Sequence, residues 1–203
     1  MKKIFKISSL AATALLVGAS IVGCAQGTLD ITKKVEFPNT YYIEYEVTTK
    51  DHIVYEMAKG VDENNNYYYM DSDSEYVFLS NGNSFDKYVK RDGVWMKEER
   101  VTLAYIDTFT KEFETYTNKG KANFPGSFKK EGENTLFNRA CTTYTMAYGF
   151  ISFFRSFDLT IDNETNICMS YFEADAIGKG EKEGFECVEF KTEGVDFSMI
   201  IEK

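Results

Sequence analysis

Between Thr40 and Glu98 the chain is cut into apolar or aromatic runs of about five to eight residues, separated by clusters of Asn, Asp, Gly and Ser. The runs "TYYIEYEVTTK", "HIVYEMAK", "YYYMD", "YVFLS", "SFDKYVK" and "VWMKE" follow the period of two that sends successive side chains to opposite faces of a strand. In the first, Ile43, Tyr45 and Val47 share one face, while Tyr42, Glu44, Glu46 and Thr48 share the other, the pattern of a half-buried strand. The separators "GVDENNN", "SDSE", "NGN" and "RDG" are built from residues that tolerate tight turns. Strands joined this closely are antiparallel neighbours, so residues 40–98 are expected to form a meander of about six strands.

The period then lengthens. In "EERVTLAYIDTFTKEFETYTNKGK", Val101, Tyr105, Phe109, Phe113 and Tyr116 recur every three or four positions, with Lys111, Glu112 and Glu114 between them. This spacing predicts an amphipathic helix over 99–118, ended by the Asn118 to Gly120 stretch. A polar connection, "GKANFPGSFKKEGEN", leads to further strand-like segments: "TLFNRACTTYTMAY", "FDLTID", "NICMSYFEAD", "GFECVEFKTEG" and "VDFSMIIEK", with "DNETN" as a turn. In "GFISFFRSF" the Phe residues fall at helical spacing, and a helix, a strand end and a loop all stay open for so short a piece. The total is near ten or eleven strands with one or two helices.

The N-terminus carries a different message. Met1, Lys2, Lys3 and Lys6 make a positive start, and residues 7–23 are uncharged and mostly Ala, Leu, Val, Ile, Ser and Gly. A permanent span wants about 20 apolar residues to cross about 30 Å of hydrocarbon, and this run is short and diluted by Ser8, Ser9, Gly18 and Ser20. It reads as a secretory signal over 1–23. Ile21-Val22-Gly23-Cys24 resembles the lipobox of bacterial lipoproteins. That resemblance implies that the Cys24 sulfur receives a diacylglycerol, that the chain is cut before Cys24, and that lipid (palmitate-type acyl chains) holds the protein to the cell membrane, facing outward. Two or more acyl chains anchor stably where one does so only marginally. An ordinary signal cut after Ala25 is the alternative. Residues 24–39 then serve as lipidated N-terminus and tether, and 40–203 as a single domain.

Charge and chemistry narrow the function. Losing Lys2, Lys3 and Lys6 leaves 20 basic against 32 acidic side chains, a net charge of −12. Such a surface repels nucleic-acid phosphates and anionic headgroups, so no nucleic acid is expected as partner, and the lipid on Cys24 does the attaching. Cys141, Cys168 and Cys187 are odd in number and show no C-x-x-C spacing; one disulfide with a spare thiol and three buried apolar thiols are both open. His52 is the single histidine, beside Asp51 at a turn, which removes His-based metal clusters and catalytic triads. Asp71, Asp73 and Glu75 in "DSDSE" alternate like calcium ligands, yet the sixth and twelfth positions are Tyr76 and Gly82 instead of Gly and Glu, so a solvated hairpin turn is expected. No phosphate-binding or nucleophile motif occurs. The reading is therefore no enzyme, no metal and no cofactor.

What remains is the aromatic load, 14 Tyr and 17 Phe. Such rings fill cores and also line apolar cavities. A lipidated precursor, an antiparallel meander, a central amphipathic helix, and then strands holding "RACTTYTM" and "FDLTIDNETNICMSYFEAD" together resemble the LolA/LolB-like superfamily. The resemblance is one of arrangement over about residues 40–203 and implies a mainly β (α+β) fold: a curved antiparallel meander, or half-open β-barrel, with one or two helices packed in its concave face. It also implies binding of a lipid or apolar small molecule. Independently of the resemblance, the aromatic stripe of the expected helix, packed over such a sheet, makes Tyr105, Phe109 and Phe113 candidate ligand-facing lid residues, and a monomer is expected. A structural lipoprotein with a filled core and a protein partner is the alternative.

Overall fold

A computed structural model describes residues 29–30, 33–118, 128–150, 153–175 and 182–201. The signal over 1–23, the lipobox and Cys24 lie outside the described residues. The strands are Tyr41–Thr48 (β1), Val54–Val61 (β2), Tyr67–Met70 (β3), Glu75–Asn81 (β4), Ser84–Arg91 (β5) and Val94–Val101 (β6), then Lys129–Leu136 (β7), Arg139–Phe150 (β8), Phe153–Asp162 (β9), Cys168–Asp175 (β10) and Lys182–Lys191 (β11). Between the two groups stand the helices Leu103–Phe109 (α1) and Lys111–Thr117 (α2), and Ser198–Ile201 (α3) closes the chain.

All eleven strands form one antiparallel sheet in the order β6-β5-β4-β3-β2-β1-β11-β10-β9-β8-β7. Two meanders are thus joined through the first and last strands, and the sheet is curved and unclosed, with β6 and β7 as its edges. The fold is mainly β, with six sequential strands in its first half.

Turn chemistry sets the register. Asp71 Oδ1 accepts the backbone N–H groups of Asp73 and Ser74 at 2.9 Å each, so the "DSDSE" carboxylate is committed to the β3–β4 hairpin. Asp92 and Gly93, with φ of 51° and 79°, make the left-handed pair between β5 and β6 that matches strand twist. The β7–β8 turn uses the same geometry with Phe137 and Asn138 at φ 50° and 60°.

Three expectations need correction, and one open segment is assigned. The helix over 99–118 begins later, because Glu99 to Val101 stay in β6, where Val101 pairs with Phe85 of β5. Thr102 then caps α1 by accepting the Tyr105 N–H. The helix is also two helices, broken at Thr110, whose backbone N–H still bonds back to Ile106. The polar connection after α2 already contains β7, and "TLFNRACTTYTMAY" is two strands around the Phe137-Asn138 turn. A bulky Phe in a left-handed position is a turn signal that residue preferences do not supply. "GFISFFRSF" belongs to β8 and β9, as far as it is described. Finally, "VDFSMIIEK" is no strand: both edges of β11 are already paired, with β1 and β10, and the segment folds onto the sheet's outer face instead.

The core is divided between the two faces. On the concave face, Tyr45, Phe78, Ile43, Met57, Leu159, Ile161 and Met169 are buried with Ile106 and Phe113 of the helices. The Tyr45 hydroxyl, fully buried, donates to the Cys168 carbonyl at 2.7 Å, which satisfies a group that would otherwise be costly there. Val35 and Phe37, ahead of β1, lean on this core, and Phe37 stacks on Tyr41. On the convex face, a smaller cluster of Ala58, Tyr68 and Val77 is covered by Val195 and Phe197. Phe197 stacks on Tyr68, and its N–H donates to Asp62 Oδ2 at 3.0 Å. Cys141, Cys168 and Cys187 form no disulfide with one another. Among the described residues, no helix is long and apolar enough to cross a membrane.

Candidate ligand cavity

The aromatic stripe of the helices meets three environments. Phe113 is fully buried and packs at 5.4 Å against the Tyr45 ring. Phe109 meets Tyr76 and Tyr69 edge-on at 4.7 and 5.3 Å, and Tyr105 stacks on it at 5.8 Å. Lys87 of β5 closes that group, with its Nζ 5.3 Å from the Tyr76 ring centre and 5.5 Å from that of Tyr105. Burial works against the Lys87 charge, but its ion pair with Glu98 at 3.0 Å and its bond to the Tyr105 hydroxyl outweigh it and raise its pKa. The third environment belongs to Tyr116, one turn after Phe113, whose hydroxyl lies 3.0 Å from that of Tyr55.

Beside Tyr116, at the end of the concave face where β1 stops and β2 starts, lies a cavity of about 420 Å³. Its walls are Val47 of β1, Tyr55 of β2, Tyr171 of β10, Phe185 of β11 and Tyr116 of α2. Phe185 meets Tyr116 edge-on at 5.2 Å and 78°, and lies alongside Tyr171 at 6.0 Å and 23°, so the rings form a corner. Gly184 allows β11 to approach β10 here: a Cβ would collide with the Tyr171 carbonyl and stand 2.8 Å from the Phe172 Cα. Lys50, Asp51, Glu173 and Glu183 line the rim, with Lys50 paired to Glu183 at 3.3 Å and Arg155 paired to Glu173.

The walls stay uncharged. Burial first, and then the Glu183 charge, push the Tyr171 hydroxyl up to about 12. Burial and the bond to Tyr55 hold the Tyr116 hydroxyl well above the ordinary phenol value. A space of this size, lined by aromatic rings and by polar groups in about equal measure, suits a small amphiphilic molecule.

Tyr105 and Phe109 of α1 and Phe113 of α2 all pack into the core on this side of the sheet, and none of the three lines this cavity. Tyr116 belongs to the helical stripe read from the sequence; Tyr55, Tyr171 and Phe185 fall within strand-like runs, and nothing in those runs marks them as meeting. Two other spaces are chemically different. A groove of about 480 Å³ along β4–β6 is lined by Asp73, Lys87, Lys90, Arg91, Asp92 and Glu98, with Glu98 paired to both Lys87 and Arg91. A cavity of about 240 Å³ lies under the C-terminal segment, beside Tyr42, Tyr68 and Phe197. His52 sits exposed at the β1–β2 turn with φ 57°. No group of three or more His, Cys, Asp or Glu able to hold a metal occurs among the described residues.

No protein-family model and no curated protein matches the sequence. Among solved structures, MucB in complex with MucA is similar at 11% identity and a TM-score of 0.37, over 78% of this chain and 52% of that one. The MucA/MucB complex of Pseudomonas aeruginosa follows at 10% identity and 0.37, over 79% and 54%. A LolA superfamily protein from Nitrosomonas europaea stands at 12% and 0.29, over 82% and 92%. The match thus spans about half the length of the MucB chains. Values this low transfer no ligand and no partner.

Proposed function

We propose that the protein is an exported, lipid-anchored, non-catalytic binding protein that takes an apolar ligand or lipid tail into the cavity beside Tyr116. The observation that carries this reading is the cavity itself: an open space of about 420 Å³ on the concave face, lined by Val47, Tyr55, Tyr116, Tyr171 and Phe185 together with Lys50, Asp51, Glu173 and Glu183. The lipid anchor rests on the lipobox at 21–24 and the positive start. Location follows from the anchor, at the outer face of the cell membrane. Tyr105, Phe109 and Phe113 act in this reading as the support that holds α2, and with it Tyr116, against the sheet.

Mass spectrometry of organic extracts from the purified protein is the test. A non-covalent apolar compound recovered in near-stoichiometric amount supports the reading. Empty extracts, together with no uptake of an uncharged fluorescent alkyl probe, refute it. A second reading, an interaction protein with a filled core, draws on two features. Tyr45, Phe78 and Phe113 pack solidly between sheet and helices, and the edge strand β6 exposes Val94 and Met96, at 63% and 49%, next to unpaired backbone.

A further inference from the structure

We propose that the cavity selects ligands whose polar end is a cationic, alkylated ammonium, held between the Tyr55, Tyr116, Tyr171 and Phe185 rings and the carboxylates of Asp51, Glu173 and Glu183. This rests on the apolar-site reading and narrows it to a substrate class. Aromatic faces carry negative quadrupole charge, so a cation set in a corner of rings is attracted to them and a carboxylate is repelled. The ring geometry offers such a corner, with Phe185 edge-on to Tyr116 and parallel to Tyr171.

The rim agrees in sign. Three carboxylates line the cavity against one ammonium, that of Lys50; Lys50 pairs with Glu183 and Arg155, outside the lining, pairs with Glu173, which leaves Asp51 as the excess negative charge. Lys50 is 67% exposed on an unbranched, flexible stem, while its partner Glu183 is 27% exposed and holds its charge closer to the site. The Glu183 field reaches inside, since it contributes to the raised pKa of the Tyr171 hydroxyl. The surrounding field is also negative, with 32 acidic against 23 basic residues in the whole chain. An anionic amphiphile entering here meets three like charges and ring faces of the wrong sign; an ammonium meets one like charge, that of Lys50, which is already paired with Glu183.

The test compares octyltrimethylammonium, octanol and octanoate, all below their micelle concentrations, by calorimetric titration into the purified protein at neutral pH and low salt. Expected is an order of affinity of cation, then alcohol, then carboxylate, with the cation ahead of the alcohol by at least about threefold, the lower end of a cation–π contact. Lys50→Gln removes the competing ammonium and should raise the cation-to-alcohol ratio by about threefold, the size of one screened surface charge, while Glu183→Gln should lower it similarly. Because each ratio is taken within one variant, a general loss of fold cannot imitate the opposite shifts. Tetramethylammonium distinguishes the ligand source. Competition by it marks a free small cation, and failure to compete marks a chain-bearing one; either outcome supports the proposal when the affinity order holds. If octanol binds but the cation shows no advantage, or Lys50→Gln leaves the ratio unmoved, the cation proposal is overturned and the apolar site stands. If none of the three binds, both fall.

Discussion

Replacing Phe113 by Ala should separate core from cavity on α2. The Phe113 ring is fully buried against Tyr45, so its loss forfeits about 1.5–3 kcal/mol of burial. The emptied space, roughly 100 Å³ before relaxation, adds about 2 kcal/mol at about 24 cal/mol per Å³. The sum, about 3–5 kcal/mol, agrees with the usual range for Phe→Ala in cores. For a domain of this size it lowers the thermal midpoint by about 2–4 °C per kcal/mol, or roughly 6–20 °C in all. Tyr116, three residues on, is only partly buried and faces the cavity. Tyr116→Ala loses the hydroxyl contact with Tyr55 and the edge contact with Phe185, together about 1–3 kcal/mol. Urea unfolding of both variants, beside uptake of an uncharged alkyl probe, makes the comparison. The expected result is a large stability loss at Phe113 and a smaller one at Tyr116, with uptake lost at Tyr116. A cost below about 1 kcal/mol at Phe113, with unchanged urea dependence, would show that α2 is not docked on Tyr45 and refute the reasoning.

Cys24→Ala should release the protein from the membrane fraction and abolish labelling by fatty acid; a variant that stays with the membrane, beside an unlabelled wild type, would sink the anchor. Asp162 is tied to Arg139 Nε at 2.8 Å and to Thr165, and these bonds outweigh burial, so its folded pKa lies below the ordinary carboxylate value. Its contribution is therefore present above about pH 4 and lost as pH falls through the depressed folded value, so Asp162→Asn should cost about 2–4 kcal/mol at pH 7 with the gap closing in acid. A gap independent of pH in urea titrations would contradict this. At Gly60 a Cβ would overlap the Phe197 ring and stand 2.8 Å from the Tyr41 carbonyl oxygen, so Gly60→Ala should destabilise by about 1–3 kcal/mol, and wild-type stability in that variant would mean that the C-terminal segment does not cover β2.

Most of what neighbours in sequence set was readable from the sequence; the Phe137-Asn138 turn is the exception. Alternation in "TYYIEYEVTTK" marked Ile43, Tyr45 and Val47 as the inward face of β1, and all three are buried. Asn, Asp, Gly and Ser clusters placed the turns from β2 to β6, because such residues tolerate tight turns, whereas the β1–β2 turn has His52 in the left-handed position. The stripe from Tyr105 to Tyr116 announced helical structure, since a period near 3.6 follows from chain geometry alone. The tertiary structure decided the rest. Pairing of β1 with β11 joins residues more than a hundred positions apart, and local preference carries no information about it. The break at Thr110 and the transfer of Val101 to β6 followed from what those segments pack and pair against. Which ring of the stripe becomes core and which becomes wall depends on where α2 ends above a curved sheet. Phe113 and Tyr116 carry the same aromatic signal in sequence, and only the position of Tyr45 below one and of the Tyr55, Tyr171 and Phe185 corner beside the other tells them apart.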